Sequence, residues 1–272
     1  MLASDSDFIA NNFEVTSGAS EPAAYAVCAL KHFKCVPKNE KDVFYYGVFD
    51  FGGGTTDFDF GLWRLAKDNE EGYSYVIKHF GANGNGDKYL GGENLLERLS
   101  FIVFSDPKNL KIMRDKRISF TIPRGERKTF PSLADVINDD SNFARFNMLM
   151  MKEALRPFWE KWENYQEKYY QNNIVEVNLY NNDGAPQPET PFTVDLKILE
   201  EELDKRIRNV VKQFLFMMTD VMSKQESSKN KIQIFLAGNS CKAKIVKEIF
   251  DQECANIQNL FKETLKRKKH RT

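Results

Sequence analysis

The residues best suited to chemistry in this sequence are three glycines and a threonine, Gly52 to Thr55, flanked by Asp50 and Asp57. Backbone N–H groups of successive glycines can converge on one point because no Cβ atom stands in the way, and such a concavity binds anions. Carboxylates beside a bound phosphate repel it unless a cation or its water shell lies between them, which favours a magnesium nucleotide over bare phosphate. A tight hairpin turn without a ligand is the alternative interpretation.

Secondary-structure patterns around the glycines indicate how the chain would position them. Residues 43–51 form an apolar strand before the glycines, and residues 56–62 form a second strand after them. A helix is expected over residues 21–34, with Ser20 as its N-cap and Pro22 in its first turn. A third strand is expected over residues 73–80, followed by a glycine-rich loop at 81–86 and a helix over 93–104 that starts at Gly91 and Gly92.

The second half of the chain predicts a further subdomain and a return to the first. Composition shifts between residues 105 and 191, where we expect a long helix over 144–170 interrupted at Pro157 and two strands at 174–180 and 192–194. The longest helix is predicted over 195–222, because its apolar residues recur on one face. A buried strand over 231–237 then leads into Gly238 and a helix over 242–254, a layout typical of ligand sites in open α/β sheets.

Four segments occur in an order that points to one family. They are G-A-S-E-P-A-A-Y-A at 18–26, F-D-F-G-G-G-T-T-D-F at 49–58, G-D-K-Y-L-G-G-E at 86–93 and I-F-L-A-G-N-S at 234–240. This order and spacing resemble the second half of the Hsp70 nucleotide-binding domain, over residues 15–255 and weakly between 105 and 190. Sugar kinases of the same superfamily carry a similar glycine loop near their N-terminus, but without the preceding E-P-x-A-A helix.

The resemblance implies an α/β fold: a ribonuclease-H-like lobe of an actin-like ATPase with an inserted α+β subdomain. Residues 1–104 would supply the connecting helix and the first part of the lobe, and residues 105–194 the insertion. Residues 195–272 would complete the lobe and carry the adenosine loop.

The resemblance also implies roles for the residues around the glycines, with ATP or ADP and Mg²⁺ as ligands. Gly52, Gly53, Gly54 and Thr55 would cradle the β- and γ-phosphates. Asp50 would orient the hydrated magnesium ion or the attacking water, and Glu21 stands where the family has an acid near the metal. Asp50, Thr55 and Glu21 are therefore the expected catalytic residues, and Asp50 is the expected metal contact, through water.

The nucleoside is expected further along the chain. Gly238 and Ser240 match the adenosine loop of the family, and Lys242 stands where an arginine usually stacks on the adenine, although a lysine stacks less well. Glu153 and Arg156 match a pair of residues that contacts the adenine and the ribose.

Two departures from the family pattern leave two functions open. Asn239 replaces the second glycine of the adenosine loop and places a side chain near the nucleoside path, in a turn where asparagine tolerates a left-handed backbone. The first phosphate loop of the family has no counterpart in these residues, so we expect a piece of a longer protein that is inactive alone. The parent would be an ATP-driven chaperone with protein clients or cochaperones, or alternatively a non-hydrolysing nucleotide sensor or interaction scaffold.

Composition narrows the partners. The 272 residues contain 39 Lys and Arg against 39 Asp and Glu, so the net charge gives no steering toward nucleic acid or an acidic membrane. The four cysteines form no C-x-x-C pair and the three histidines lie far apart, so no metal-ligand spacing is present. The N-terminal residues lack the pattern of a signal peptide, and a cytoplasmic location is the simplest expectation.

Overall fold

The computed structural model describes residues 21–68, 70, 72, 74–80, 87–126, 129–224 and 231–269. The helices and strands, in chain order, are α1 (Glu21–His32), β1 (Phe44–Phe51), β2 (Thr56–Leu65), β3 (Tyr75–His79), α2 (Gly92–Ser105), α3 (Pro107–Asp115), α4 (Asn142–Trp159), α5 (Tyr165–Tyr169), β4 (Ile174–Tyr180), β5 (Pro186–Thr193), α6 (Leu196–Ser223), β6 (Ile232–Ala237) and α7 (Lys244–Lys269). Short 3-10 turns cover Pro131–Leu133, Gln171–Asn173 and Asn239–Lys242. None of the described helices is long and apolar enough to cross a membrane.

Four strands form a mixed sheet in the order β3-β2-β1-β6. The pairs β1–β2 and β2–β3 are antiparallel, whereas β1 and β6 run parallel. Phe51 at the end of β1 pairs with Thr56 at the start of β2, so residues 52–55 form the hairpin connection, which we call the glycine turn. The chain therefore has the mixed α/β class that its sequence predicts.

The two faces of this sheet are covered by different helices. Side chains alternate along β1, so Tyr46 and Val48 pack in one apolar cluster with Leu30 of α1. Phe49, on the opposite face, contacts aromatic rings of the long C-terminal helices, with ring centroids 5.5 Å from Phe214 of α6 and 4.9 Å from Phe250 of α7. The end of β1, and with it the glycine turn, is thus fixed from both sides.

The segment between α2 and α6 contributes the second sheet, the hairpin β4–β5, which packs with α4. Its buried residues, including Phe120, Leu155 and Phe192, belong to the same hydrophobic cluster as Phe49 of the main sheet. Because protein interiors are close-packed, this shared core holds α4 in a fixed position relative to the glycine turn.

Several predicted boundaries were wrong, and each has a local physical reason. The sequence analysis missed α3, although Asp106 caps it by accepting a hydrogen bond from the backbone N–H of Lys108 (2.8 Å) and Pro107 occupies its first turn. Pro157 does not interrupt α4, which continues to Trp159. Because Pro157 lies in the last turn, its missing N–H affects one carbonyl near the helix end.

The C-terminal unit also differs from the prediction. A 3-10 turn over Asn239–Lys242 separates β6 from α7, which begins at Lys244 rather than at residue 242. The predicted N-cap Ser20 and the loop at residues 81–86 lie outside the described residues.

Candidate functional site

Backbone N–H groups in the first turn of α2 donate hydrogen bonds to the carbonyl groups of the glycine turn. The backbone N–H of Gly92 donates to the carbonyl of Gly52 (3.0 Å), and that of Glu93 donates to the carbonyl of Gly53 (2.8 Å). The first N–H groups of a helix have no partner within the helix, so these bonds satisfy donors that would otherwise need a cap. The start of α2 and the glycine turn therefore fix each other.

Two side chains complete this attachment. The amide Nδ2 of Asn94 donates to the carbonyl of Gly54 (2.6 Å), and the hydroxyl of Ser240 donates to the carbonyl of Gly52 (2.9 Å). Asn94 and Ser240 are both buried. All three glycine carbonyls are thus bonded to groups that the rest of the fold positions.

This anchoring determines where the N–H groups of the glycine turn point. In a trans peptide unit, the carbonyl of one residue and the N–H of the next point in opposite directions, and the described chain has no cis peptide bond. The N–H groups of Gly53, Gly54 and Thr55 consequently point away from the groups that bind the carbonyls. Within the described residues they have no hydrogen-bond partner, whereas the N–H of Gly52 donates to the carbonyl of Thr55 (3.0 Å).

Neither backbone conformation nor internal packing accounts for the glycines of this turn. None of Gly52, Gly53 and Gly54 has a positive φ. A Cβ atom at Gly53 would have its nearest neighbour, Cγ of Glu93, at 3.7 Å, and one at Gly54 would meet nothing within 4 Å. The absence of side chains instead leaves the three N–H groups accessible from solvent.

A cavity of about 300 Å³ adjoins the glycine turn, and we call it the α2–α4 cavity. It is bounded by Gly53, the first turn of α2, the end of α4 and the turn after β6. Its lining residues are Gly53, Gly92, Glu93, Arg156, Trp159, Glu160, Asn239, Ser240, Lys242 and Ala243. Residues from three of the four sequence motifs and from α4 therefore meet at one place.

Ion pairs connect residues that line this cavity with their neighbours on α4. The guanidinium of Arg156 lies 2.6 Å from Glu153 and 2.8 Å from Glu93, and Lys152 lies 2.9 Å from Glu93. Hydrogen bonds from Arg156 lower the pKa of both Glu93 and Glu153 below the usual glutamate range. Glu153 and Arg156, expected to contact adenine and ribose, are thus bonded to each other and tie α4 to the start of α2.

The acidic residues lie on the α1 face of the sheet. Asp50 and Asp57 are directly opposite in the β1–β2 register, so their side chains share one face. The hydroxyl of Thr55 donates to Asp57 (3.0 Å). The hydroxyl of Tyr25 in α1 donates to the carbonyl of Leu236 (3.1 Å), and burial, then Cys241 and Asp50, raise the pKa of Tyr25 above its usual value. Glu21 is the first residue of α1, and only its backbone is described.

The positions of Asp50 and Asp57 are compatible with the expected binding of a hydrated magnesium ion. Magnesium keeps several of its waters and is commonly held by one or two carboxylates together with substrate phosphates. Asp50 and Asp57 offer carboxylate oxygens beside the glycine turn. In the part of the chain that the structure describes, no group of three or more His, Cys, Asp or Glu residues is placed to hold a metal directly. A water-mediated contact at Asp50 stays a prediction.

Gly238 is required by both its backbone and its surroundings. Its φ is +83°, and a Cβ atom there would lie 2.3 Å from the carbonyl oxygen of Phe51 and 2.6 Å from Oδ1 of Asp50. The left-handed backbone expected at Asn239 is therefore a property of Gly238, because Asn239 has no positive φ. The side chain of Asn239 is exposed at the α2–α4 cavity.

The structure brings most of the predicted site residues to this one sheet edge, and it adds two that the sequence analysis missed. Asn94 follows G-G-E directly, and its position in the first turn of α2 was the available signal. Trp159 lines the cavity from the end of α4, and the spacing of apolar residues in this helix did not indicate that position. No protein-family model matches the chain, and a comparison with curated proteins finds no significant match.

Proposed function

We propose that this chain is a nucleotide-binding lobe of the ribonuclease-H-like, actin-like type, similar to the second lobe of Hsp70 proteins, and that it binds ATP or ADP with Mg²⁺. The strand order β3-β2-β1-β6 supports this, because three antiparallel strands are followed by a parallel strand reached through helices. The hairpin β4–β5 with α4 corresponds to the inserted subdomain.

The observation that carries the proposal is the orientation of the glycine turn. Three carbonyls are bonded to α2 and Ser240, and three consecutive N–H groups, at Gly53, Gly54 and Thr55, are left accessible. Converging N–H groups without side chains form a site for phosphate oxygens. An unliganded hairpin would not need three glycines here, since neither φ nor crowding requires them.

The surrounding residues supply the remaining contacts of a bound nucleotide. The phosphates would lie on the glycine turn, Asp50 would hold a water of the magnesium ion, and the nucleoside would enter the α2–α4 cavity. Bound magnesium would neutralise charge on the phosphates. Protein clients or cochaperones would contact a longer protein of which this lobe is one part.

A second candidate is nucleotide binding without hydrolysis, as in a sensor or an interaction scaffold. Arg156, one of the two cationic residues that line the cavity, is already bonded to Glu93 and Glu153. The exposed side chain of Asn239 lines the same cavity, where the family has a glycine. Both features favour a protein that binds a nucleotide over one that hydrolyses it.

Isothermal titration calorimetry of the 272-residue chain with ATP and with ADP, with and without Mg²⁺, tests the proposal. We expect saturable binding of both nucleotides that weakens when Mg²⁺ is removed. Asp50→Asn should lower the dependence on Mg²⁺ while leaving the fold intact. A chain that binds neither nucleotide at millimolar concentration would overturn the proposed function.

A further inference from the structure

Trp159 carries a hydrogen-bond donor that nothing in the described structure uses. Trp159 is 6 % exposed, and its ring packs against that of Phe51 with the ring centroids 6.4 Å apart. No hydrogen bond involves its indole N–H within the described residues. A buried tryptophan usually finds a partner for this group, because burying an unpaired donor is costly.

The N–H of Trp159 reaches solvent through the α2–α4 cavity. No described side-chain nitrogen or oxygen is both fully buried and without a partner, so the indole nitrogen must be accessible. It lies 3.4 Å from the position that a Cβ atom of Gly92 would occupy, and both residues line the cavity. The hydroxyl of Ser240 lies closer still to that position, so Gly92 and Ser240 together border a recess beside the donor.

The position of this recess indicates which part of a ligand would reach it. The free N–H groups of the glycine turn point away from α2, whereas Gly92 is the first residue of α2. A phosphate bound by these N–H groups would therefore not face the first residue of α2, beside which Trp159 lies. The group that reaches the recess must belong to the part of the ligand that continues past the phosphates into the cavity.

We propose that the indole N–H of Trp159 donates a hydrogen bond to an oxygen of the nucleoside, and that Trp159 thereby distinguishes a nucleotide from an inorganic polyphosphate. This inference rests on the proposed nucleotide binding. It gives Trp159 a role in ligand specificity, in addition to its packing against Phe51.

Binding of Mg·ADP and of magnesium pyrophosphate to the wild type and to Trp159→Phe tests the inference. The phenylalanine keeps an aromatic ring but removes the donor, so ADP should bind roughly 3- to 10-fold more weakly while the affinity for pyrophosphate is unchanged. Trp63→Phe is the matched control, because Trp63 is buried in β2, packs against Tyr75 with ring centroids 5.5 Å apart and does not line the cavity. Its affinity for both ligands should equal that of the wild type.

Melting temperatures identify any variant that does not fold, and Trp159→Met then provides the same comparison. Equal ADP affinity of the wild type and the Trp159 variant would overturn the inference alone, as would a wild type that binds pyrophosphate as tightly as ADP. An equal loss for both ligands would show that Trp159 only supports the glycine turn. A wild type that binds no ADP would overturn the proposed function and this inference with it.

Discussion

Gly53 and Gly91 face each other across one contact, and they are glycines for different reasons. A Cβ atom at Gly91 would lie 2.2 Å from the carbonyl oxygen of Gly53, so Gly91 is required for packing. A Cβ atom at Gly53 would have no neighbour closer than Glu93 Cγ at 3.7 Å. The side chain at Gly53 is absent where the fold has room for one, which is the property expected of a residue that a ligand approaches.

Substitutions at these two glycines should therefore have opposite consequences. Gly53→Val should abolish nucleotide binding with little change in melting temperature, because a branched side chain blocks the approach of phosphate to the backbone. Gly91→Ala should destabilise the fold by about 1–3 kcal/mol, because the turn must move. Calorimetric titration and thermal unfolding measure both effects. A Gly53→Val variant that binds ATP like the wild type would show that the glycine turn is only a hairpin.

Asn239 lines the α2–α4 cavity with an exposed side chain. Asn239→Gly should tighten ATP binding by about 1 kcal/mol, because a side chain is removed from the nucleoside path. The backbone contributes nothing to this gain, since Asn239 has no positive φ to relieve. Affinities measured at identical salt and magnesium concentrations decide the matter. Weaker binding by the glycine variant would mean that Asn239 donates a hydrogen bond to the nucleotide instead.

Among the secondary-structure elements, α2 supports the glycine turn through its first residues. Asn94→Ala should leave the carbonyl of Gly54 without its partner, lowering the free energy of unfolding by about 1 kcal/mol and weakening nucleotide binding. Asn147→Ala is a suitable control, because the buried Asn147 bonds the carbonyls of Ser119 (2.9 Å) and Tyr180 (2.8 Å) instead. Urea unfolding should show a loss of stability in both variants. If Asn147→Ala weakens nucleotide binding as much as Asn94→Ala does, α2 has no special role.

The ion pairs between α2 and α4 should give stability a pH dependence. Arg156 lowers the pKa of Glu93 and Glu153, so the folded pKa lies below the unfolded value of about 4.5. Their contribution is then complete above the unfolded pKa and is lost as the pH falls through the lowered one. Because Glu93 is partly exposed, we expect Arg156→Gln to cost only about 1 kcal/mol at neutral pH.

This cost should shrink as the pH falls below about 4.5 and through the lowered pKa values of Glu93 and Glu153, because a protonated glutamate no longer pairs with Arg156. Urea unfolding of the wild type and of Arg156→Gln at several pH values measures the difference. A difference that stays constant between neutral and acidic pH would show that Arg156 acts through packing and not through its charge.

The elements with strong periodicity were predictable from the sequence, and the contacts between elements were not. The strands on each side of the glycine turn and the long helix α6 follow directly from apolar alternation and from one apolar face. The bond from Asn94 to Gly54 and the cavity position of Trp159 depend on residues far apart in the chain. Such contacts arise from how α2 and α4 pack together, which no local pattern encodes.

At the scale of the whole molecule, one hydrophobic cluster joins the main sheet to the hairpin β4–β5 and to α4. This shared core keeps the cavity residues of α4 in register with the glycine turn. The ribonuclease-H-like topology and the division at residues 105 and 194 remain predictions. The α/β class is confirmed, and the main sheet is mixed.

The whole chain should bind ATP without measurable turnover. Phosphoryl transfer depends on charged groups that surround the transferred phosphate, and Arg156, one of the two cationic residues that line the cavity, is already paired with Glu93 and Glu153. Release of inorganic phosphate from Mg·ATP should therefore stay at the background rate. Turnover that is present in the purified chain and lost in Asp50→Ala would contradict this expectation.

Amide NMR observes the N–H groups of the glycine turn, which we propose to be the phosphate-binding groups of this chain. In ¹H–¹⁵N spectra of the 272-residue chain, titration with Mg·ADP should produce saturable shifts of the Gly53, Gly54 and Thr55 signals. Gly125 and Gly184, which lie elsewhere in the fold, should not shift. Saturable binding that leaves the three glycine-turn signals unchanged would contradict the account.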